Sequence, residues 1–288
     1  MSMMMKTEIA TVDIACPNCG YTERELWARD NGYSAQQCAA CGFIYVSPRP
    51  PADAIDEAAQ TGLHATDSGA VDRVGLLNFR RSKQRMFEQR LSELYPGGEL
   101  AARPRTWLDV GCGFGELVAA VQALVPEGSS VKGVDPCLPK VRVAQRRGLP
   151  VTSETLSEVH GAFDVISLVN VFSHLPDPFS FVSDLKTKLK DRGEIILVTG
   201  NAAELPNREA YPDPLYLPDH LVFAGEAHLR ALFERDGFEV VQVLRMPYFF
   251  RDPLLIPKNI AKVVLGRPTE QLRNTGPFRS LFVRARLS

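Results

Sequence analysis

The sequence predicts an α/β protein whose larger part is a doubly wound, mostly parallel sheet and whose N-terminus is a small metal-held ribbon. Three observations carry this prediction. Strand-like and helix-like patterns alternate from about residue 99 onward, a glycine-rich turn GCGFG follows the first of those strands, and two C-x2-C pairs fall within the first 41 residues.

The ribbon comes first. Cys16 and Cys19 in CPNC and Cys38 and Cys41 in CAAC are two knuckles separated by eighteen residues, while Cys112 and Cys137 lie far away. Four thiolates at this spacing suit one tetrahedral structural zinc ion, because each knuckle turns tightly enough to offer two sulfurs. Gly20 and Gly42 follow the knuckles and let the chain turn under the metal. GFIYVSPRPP then reads as a short strand leaving the site, so the ribbon is expected to span residues 1–51.

Residues 52–98 are expected to be a connecting segment that ends in a helix. The stretch from Pro51 to Gly75 is polar and rich in small residues, with no steady period. From Leu76 to Tyr95, Leu76, Phe79, Met86, Phe87, Leu91 and Leu94 recur near helical spacing, and PGG at 96–98 stops the pattern. Residues 99–288 then form the α/β domain. Strands fall near TWLDV, SVKGVD, LPVTS, FDVISLV, EIILVT and FEVVQVL, with helical patterns after the first, second, fourth and fifth. Such alternation implies a parallel sheet covered on both faces.

TWLDV, GCGFG and ELVAAVQALV are therefore strand, turn and helix. Glycines at that turn let a ligand approach backbone N–H groups at a helix N-terminus. The spacing decides which ligand. A dinucleotide fingerprint is G-x-G-x-x-G, but here the third glycine comes one place early as Gly115, and Glu116 would repel a pyrophosphate. Twenty residues after Gly115, SVKGVD ends in Asp135, placed to accept hydrogen bonds from ribose hydroxyls. One ribose without a pyrophosphate suggests S-adenosylmethionine.

At this point the chain resembles the class I S-adenosylmethionine-dependent methyltransferases over about two-thirds of its length. LDVGCGFG looks like their first motif, GVDP their second, FDVISLVNVFSHLPDP their fourth and LKDRGEIILVTGN their fifth-strand region. The resemblance implies a Rossmann-like sheet whose last strand, here FRSLFVRARLS, is antiparallel. It also implies cofactor contacts from Gly111, Gly113 and Gly115 under the methionine and ribose portions, and from Asp109 toward the motif and the amino group. Asp135 would hold the ribose, Thr155 and Leu156 the adenine, with Asn170 completing the set. A four-cysteine ribbon joined to such a domain further resembles bacterial enzymes that modify sugars and small natural products.

The sulfonium already activates the methyl group, so the protein must mainly hold an acceptor in line with the breaking bond. A hydroxyl acceptor also needs a base. His174, in NVFSHLPDP just after the fourth strand, is the first candidate, and the bland reading is a histidine capping the helix that starts at DPF. The ubiquinone-pathway O-methyltransferases resemble this region but carry Glu-His where Ser173 and His174 stand. His220, in the Pro-rich YPDPLYLPDHLVF with Tyr211 and Tyr216 nearby, is the second candidate. His64, His160 and His228 read as surface or packing residues.

From Arg245 to Ser288 there are nine Lys or Arg and two Asp or Glu. Residues 247–277 are accordingly a candidate lid or partner insertion, with Ile256, Ile260, Val263 and Val264 on one helix face. The basic flank would suit a phosphorylated or carrier-bound small-molecule acceptor. The expected activity is methyl transfer to a hydroxyl of a sugar, nucleotide-sugar or natural-product intermediate. One rival is an RNA methyltransferase with the ribbon as reader; Arg24, Arg29 and Arg49 against Asp13, Glu23, Glu25 and Asp30, in a chain of net charge -1, argue against a nucleic-acid partner. The other is a scaffold that has lost the cofactor, which the intact glycine turn and Asp135 argue against. With no apolar run of membrane-span length and no signal-peptide pattern at MSMMMKTEIATVD, the expected compartment is the cytoplasm.

Overall fold

The computed structural model describes residues 10–67, 69–72, 74, 78–211, 214–246, 260, 265 and 279–288. The proposed lid at 247–277 and its apolar face therefore lie outside the described residues, save for Ile260 and Leu265. Among the described residues no helix is long and apolar enough to cross a membrane.

The ribbon is built on strands β1 (Arg24–Asp30), β2 (Tyr33–Cys38) and β3 (Ile44–Val46). Gly20 and Gly42 adopt φ of 74° and 72°, and their amides donate to the Cys16 and Cys38 carbonyls at 2.8 and 2.9 Å. Each knuckle thus closes with its sulfurs turned inward. Every residue of β3 is buried, so this strand faces protein on both sides.

Helix α1 (Ala52–Thr61) and a hairpin of β4 (Leu63–Thr66) and β5 (Gly69–Asp72) occupy the segment in which the sequence shows no period. They carry few apolar anchors: Ala58 is the buried residue of α1, and Leu63 is 50% exposed. Helix α1 has an apolar side, but its anchors are only Ile55 and the small Ala58, too few and too short a stretch to stand out as a period. Helix α2 (Arg81–Leu94) begins five residues later than the apolar spacing suggests and buries Phe87, Leu91 and Leu94.

The α/β part follows in order: β6 (Thr106–Val110), α3 (Glu116–Leu124), β7 (Ser130–Val134), α4 (Leu138–Gln145), β8 (Val151–Thr152), β9 (Phe163–Val169), α5 (Pro178–Leu185) and β10 (Leu189–Gly200). After β11 (Val222–Phe223) come α6 (Glu226–Arg235), β12 (Phe238–Met246) and β13 (Ser280–Leu287). Seven strands form one sheet in the order β12-β13-β10-β9-β6-β7-β8. The inner pairs are parallel, and β13 runs antiparallel to both β10 and β12, as the resemblance implies. The third strand, expected across LPVTS, shrinks to the two residues of β8 at the sheet edge.

Alternate residues serve opposite faces. Trp107, Val165 and Ile196 pack with Phe87, Leu91, Leu117 and Val121 from α2 and α3, whereas Leu108, Ile166 and Leu197 pack with Phe179, Val182, Leu229 and Phe233 from α5 and α6. This is the pattern of a sheet covered on both sides. The ribbon joins the second layer: Cys16, Cys38, Phe43 and Tyr45 belong to the same core, and the Phe43 and Phe179 rings lie 5.3 Å apart. β11, from the far end of the chain, adds to β3 as the fourth strand of the ribbon sheet. Chain order reverses between β6 and β9, the kind of switch point at whose carboxyl ends open α/β sheets bind their ligands.

Candidate active site

The glycine turn leaves the carboxyl end of β6 at that switch point. Gly111, Gly113 and Gly115 all adopt left-handed φ, of 67°, 55° and 84°. Their jobs differ. A Cβ on Gly111 would come within 2.3 Å of Val171 Cγ2, and one on Gly115 within 2.6 Å of Leu149 Cδ1, so these two glycines admit the chain's own packing. A Cβ on Gly113 would meet nothing within 4 Å, which makes this the glycine that faces open space.

Three carboxylates line the turn. Asp135 is 5% exposed; its Oδ2 accepts from Gly113 N at 2.8 Å and its Oδ1 from Cys137 N at 2.8 Å, so it fixes the turn and keeps further lone pairs for a ligand. Asp109 is buried, and Ser167 Oγ, itself receiving the Trp107 Nε1 proton at 2.9 Å, donates to it at 2.7 Å. Burial pushes the Asp109 carboxyl up to about 7, against the pull of the Ser167 hydrogen bond and Lys83, with the Asp135 and Glu116 charges adding to the rise. Glu116, also buried, accepts from Arg80 N at 3.1 Å and lies 3.5 Å from Lys83 Nζ. The acids at the turn, Asp109, Glu116 and Asp135, outnumber the ammonium groups near them, Lys83 and Lys140, which favours a cationic ligand over a pyrophosphate. S-adenosylmethionine, with its sulfonium and ammonium groups, fits that cradle.

The remaining cofactor candidates follow β8 and β9. Thr155 is exposed; its amide and hydroxyl both bond Glu158 Oε2 at 2.8 Å and cap a one-turn helix, while Leu156 leans half-buried on the core. Asn170 ends β9 in a left-handed conformation, φ 56°, with its amide donating to Val198 O at 2.8 Å.

Beyond Val171, which packs over Gly111, the two candidate histidines come together. Residues 172–174 form a single 3-10 turn after β9, and His174 Nδ1 lies 2.8 Å from both the carbonyl and Oδ1 of Asp219. The His220 ring stands edge-on to that of His174, centroids 4.7 Å apart, with Tyr216 and Phe223 around it at 6.0 and 5.9 Å. Tyr211 packs on Trp27 and Phe223. His174 does not cap the following helix, because Asp177 does: its Oδ1 accepts from Ser180 N at 3.0 Å. His64, expected as a surface or packing residue, brings Nε2 to 3.3 Å from Asp219 Oδ1. His228 is a packing residue, bonded to the Cys41 carbonyl and the Gly225 amide.

The electrostatics match the contacts. Burial works against a charged His174, yet the Asp219 charge and hydrogen bonds outweigh it and raise the imidazole above its ordinary value. Burial would raise Asp219, but His174, His220 and His64 hold it well below the usual carboxylate range. Sequence reasoning missed Asp219 and His64. The first stood in plain sight before His220; nothing in a polar hairpin marks the second.

The four cysteine sulfurs lie within 4.8 Å of one another, with Cys16–Cys41 at 3.7 Å and Cys19–Cys38 at 3.6 Å. A disulfide is excluded at those separations, and they approach the roughly 3.8 Å edge of a tetrahedron built from zinc–sulfur bonds. Among the described residues, His174, Asp219 and His220 are the other group as closely gathered.

Comparison with known proteins adds the family. The family described as "Methyltransferase domain" matches residues 79–243, more than half of the 288-residue chain. The chain belongs to this methyltransferase family. The matched methyltransferase region contains the glycine turn, Asp135, His174, Asp219 and His220; the cysteines and His64 precede it. Ubiquinone biosynthesis O-methyltransferase from Chromobacterium violaceum is 32% identical over 114 residues, 36% of this chain and 46% of that protein. The Pseudomonas aeruginosa protein of the same name is 32% identical over 163 residues, 49% of this chain and 67% of that protein. The chain thus spans about half the length of the first curated relatives it matches. Among solved structures, magnesium protoporphyrin IX methyltransferase from Synechocystis with bound S-adenosylmethionine is similar with a TM-score of 0.47 and 20% identity, over 74% of this chain and 86% of that one.

Proposed function

We propose that this chain transfers a methyl group from S-adenosylmethionine to an oxygen of a small-molecule acceptor, a hydroxyl of a sugar, nucleotide-sugar or natural-product intermediate. The observation that carries this reading is the joining of the two half-sites by Val171. Its side chain covers Gly111 in the turn, and its carbonyl accepts from His174 N at 2.9 Å. The base therefore stands one helical turn away from the cradle. The relatives named O-methyltransferases support an oxygen acceptor.

S-adenosylmethionine bound at the turn supplies a methyl group on a positively charged sulfur. Gly113 leaves the room for it, Asp135 accepts from ribose hydroxyls, and Asp109 with Glu116 balances the positive charge. Thr155, Leu156 and Asn170 are the candidates for the remaining contacts. His174 takes the acceptor's proton on Nε2 while Asp219 holds Nδ1, the geometry in which a carboxylate fixes the tautomer and supports the imidazolium. His220 and Tyr216 wall the acceptor. Cys16, Cys19, Cys38 and Cys41 hold a structural zinc ion.

Incubation with methyl-labelled cofactor and a metabolite extract tests the reading. Label in a methyl ether is the expected result. A chain that binds the cofactor yet labels no small molecule would overturn it.

A further inference from the structure

The segment bearing Asp219 and His220 is strung between two strands of the cysteine ribbon. At one end, Asn31 Nδ2 donates to the Leu217 carbonyl at 2.7 Å and Asp30 Oδ2 accepts from the Leu217 amide at 3.3 Å, so the β1–β2 turn grips both sides of one buried residue. At the other end, Val46 N in β3 donates to the Leu221 carbonyl at 2.8 Å, and Leu221 N donates to the Ser173 carbonyl at 2.7 Å. Asp219 lies midway in this five-residue bridge. A tight turn aims it: the amides of Asp219 and His220 both donate to the Tyr216 carbonyl, at 2.8 and 3.2 Å, with Tyr216 at φ 58°. The same ribbon turn also secures the hairpin that carries His64, because Tyr33 Oη donates to the Ala65 carbonyl at 3.1 Å.

We infer that the ribbon is the frame of the acceptor site, and that Asp30 and Asn31 are positioning residues that set Asp219 against His174. This rests on the reading of His174 as the base. The physical reason is local. A bridge between two strands of one sheet keeps its middle residue in place only while both ends are held, and the grip on Leu217 is made by side chains of a tight turn. Asn31 sits at φ 51°, a conformation that Asn and Gly tolerate and most other residues resist. The residue type thus serves both the turn and the grip. Neither residue touches a substrate in this arrangement; both act through Leu217.

Asn31→Gly keeps the left-handed turn and deletes the amide donor; Asp30→Ala deletes the acceptor, and Asp30→Asn keeps it. With the full chain, the expected results are unchanged S-adenosylmethionine affinity and a kcat about tenfold lower in Asn31→Gly and in Asp30→Ala, the scale of one lost hydrogen bond. Asp30→Asn should recover what Asp30→Ala loses. A low-field proton resonance of His174 Nδ1–H is expected in the parent, where Nδ1 lies 2.8 Å from Asp219, and it should weaken or vanish in the two deletions and return in Asp30→Asn. A purely structural role would lower thermal stability without moving that resonance in the folded fraction, and this outcome overturns the inference. The resonance is read without any acceptor, so failure of methyl transfer in every form would count against the proposed function and leave the positioning result standing. Should Asp30→Ala not fold, Asn31→Gly alone carries both readings.

Discussion

As the proposed base and its carboxylate partner, His174 and Asp219 are expected to set the pH behaviour of the site. An imidazole raised above its ordinary value by a partner carboxylate adds stability that is fully present below the unfolded value near 6.5, and this contribution is lost as pH rises through the higher folded value. Proton abstraction needs the neutral ring, so activity runs the other way and rises through the same folded value. The acid limb of kcat/KM is therefore expected to have its midpoint above about 6.5. In Asp219→Asn the charge that raises the ring is gone and its burial remains, so the midpoint should drop, as a pH series on both forms would show. His174→Ala should lower the single-turnover rate by roughly 10² to 10⁴ with cofactor affinity nearly unchanged. At the turn, Asp135→Ala removes an acceptor that also fixes Gly113 and Cys137, and calorimetry should find cofactor binding weaker by about 1 to 3 kcal/mol.

At the scale of elements, what the sequence made legible follows from where the apolar residues go. The strands β6 and β9 and the later part of β10 bury side chains on both faces and read as hydrophobic runs, whereas β7 is buried only at its end, Gly133 and Val134; α3 and α5 follow from their apolar faces. Strand β4 exposes Leu63 and Ala65 and covers the polar His64 and Thr66, the reverse of an apolar-in pattern, and with only four residues in each strand the hairpin's pairing was invisible and His64 with it. Helix α2 carries another lesson. Its start is set not by a side-chain cap, for Arg80 offers none, but by Glu116 of α3, which accepts the Arg80 amide and faces Lys83. Removing that carboxylate in Glu116→Ala should destabilise the fold by about 1 to 3 kcal/mol, because a half-buried amide loses its partner. Glu116→Gln, which keeps an acceptor oxygen, should cost less in a denaturant melt.

At the scale of the molecule, the ribbon is part of the wall of the larger sheet. Motif spacing made the four cysteines and the glycine turn legible separately, since each is a local pattern, but the joining of the two is not local. It depends on β11 reaching back across more than 170 residues to pair with β3, on His228 bonding the Cys41 carbonyl, and on a core that runs from Cys38 and Phe43 to Phe172 and Phe179. A consequence follows for unfolding. Metal binding supplies much of the folding energy of a small cysteine site, and the strands that the proposed zinc would support also carry one end of the proposed acceptor wall. Metal analysis should find one zinc per natively purified chain. Chelation should then do more than release a ribbon: hydrogen exchange should accelerate together in β1–β3, in residues 216–223 and at the start of α6, while β6 and β7 around the glycine turn stay protected. S-adenosylmethionine should still bind the chelated chain, because Gly113 and Asp135 receive none of their contacts from the ribbon. Exchange confined to residues 10–50 would show instead that the two parts fold independently.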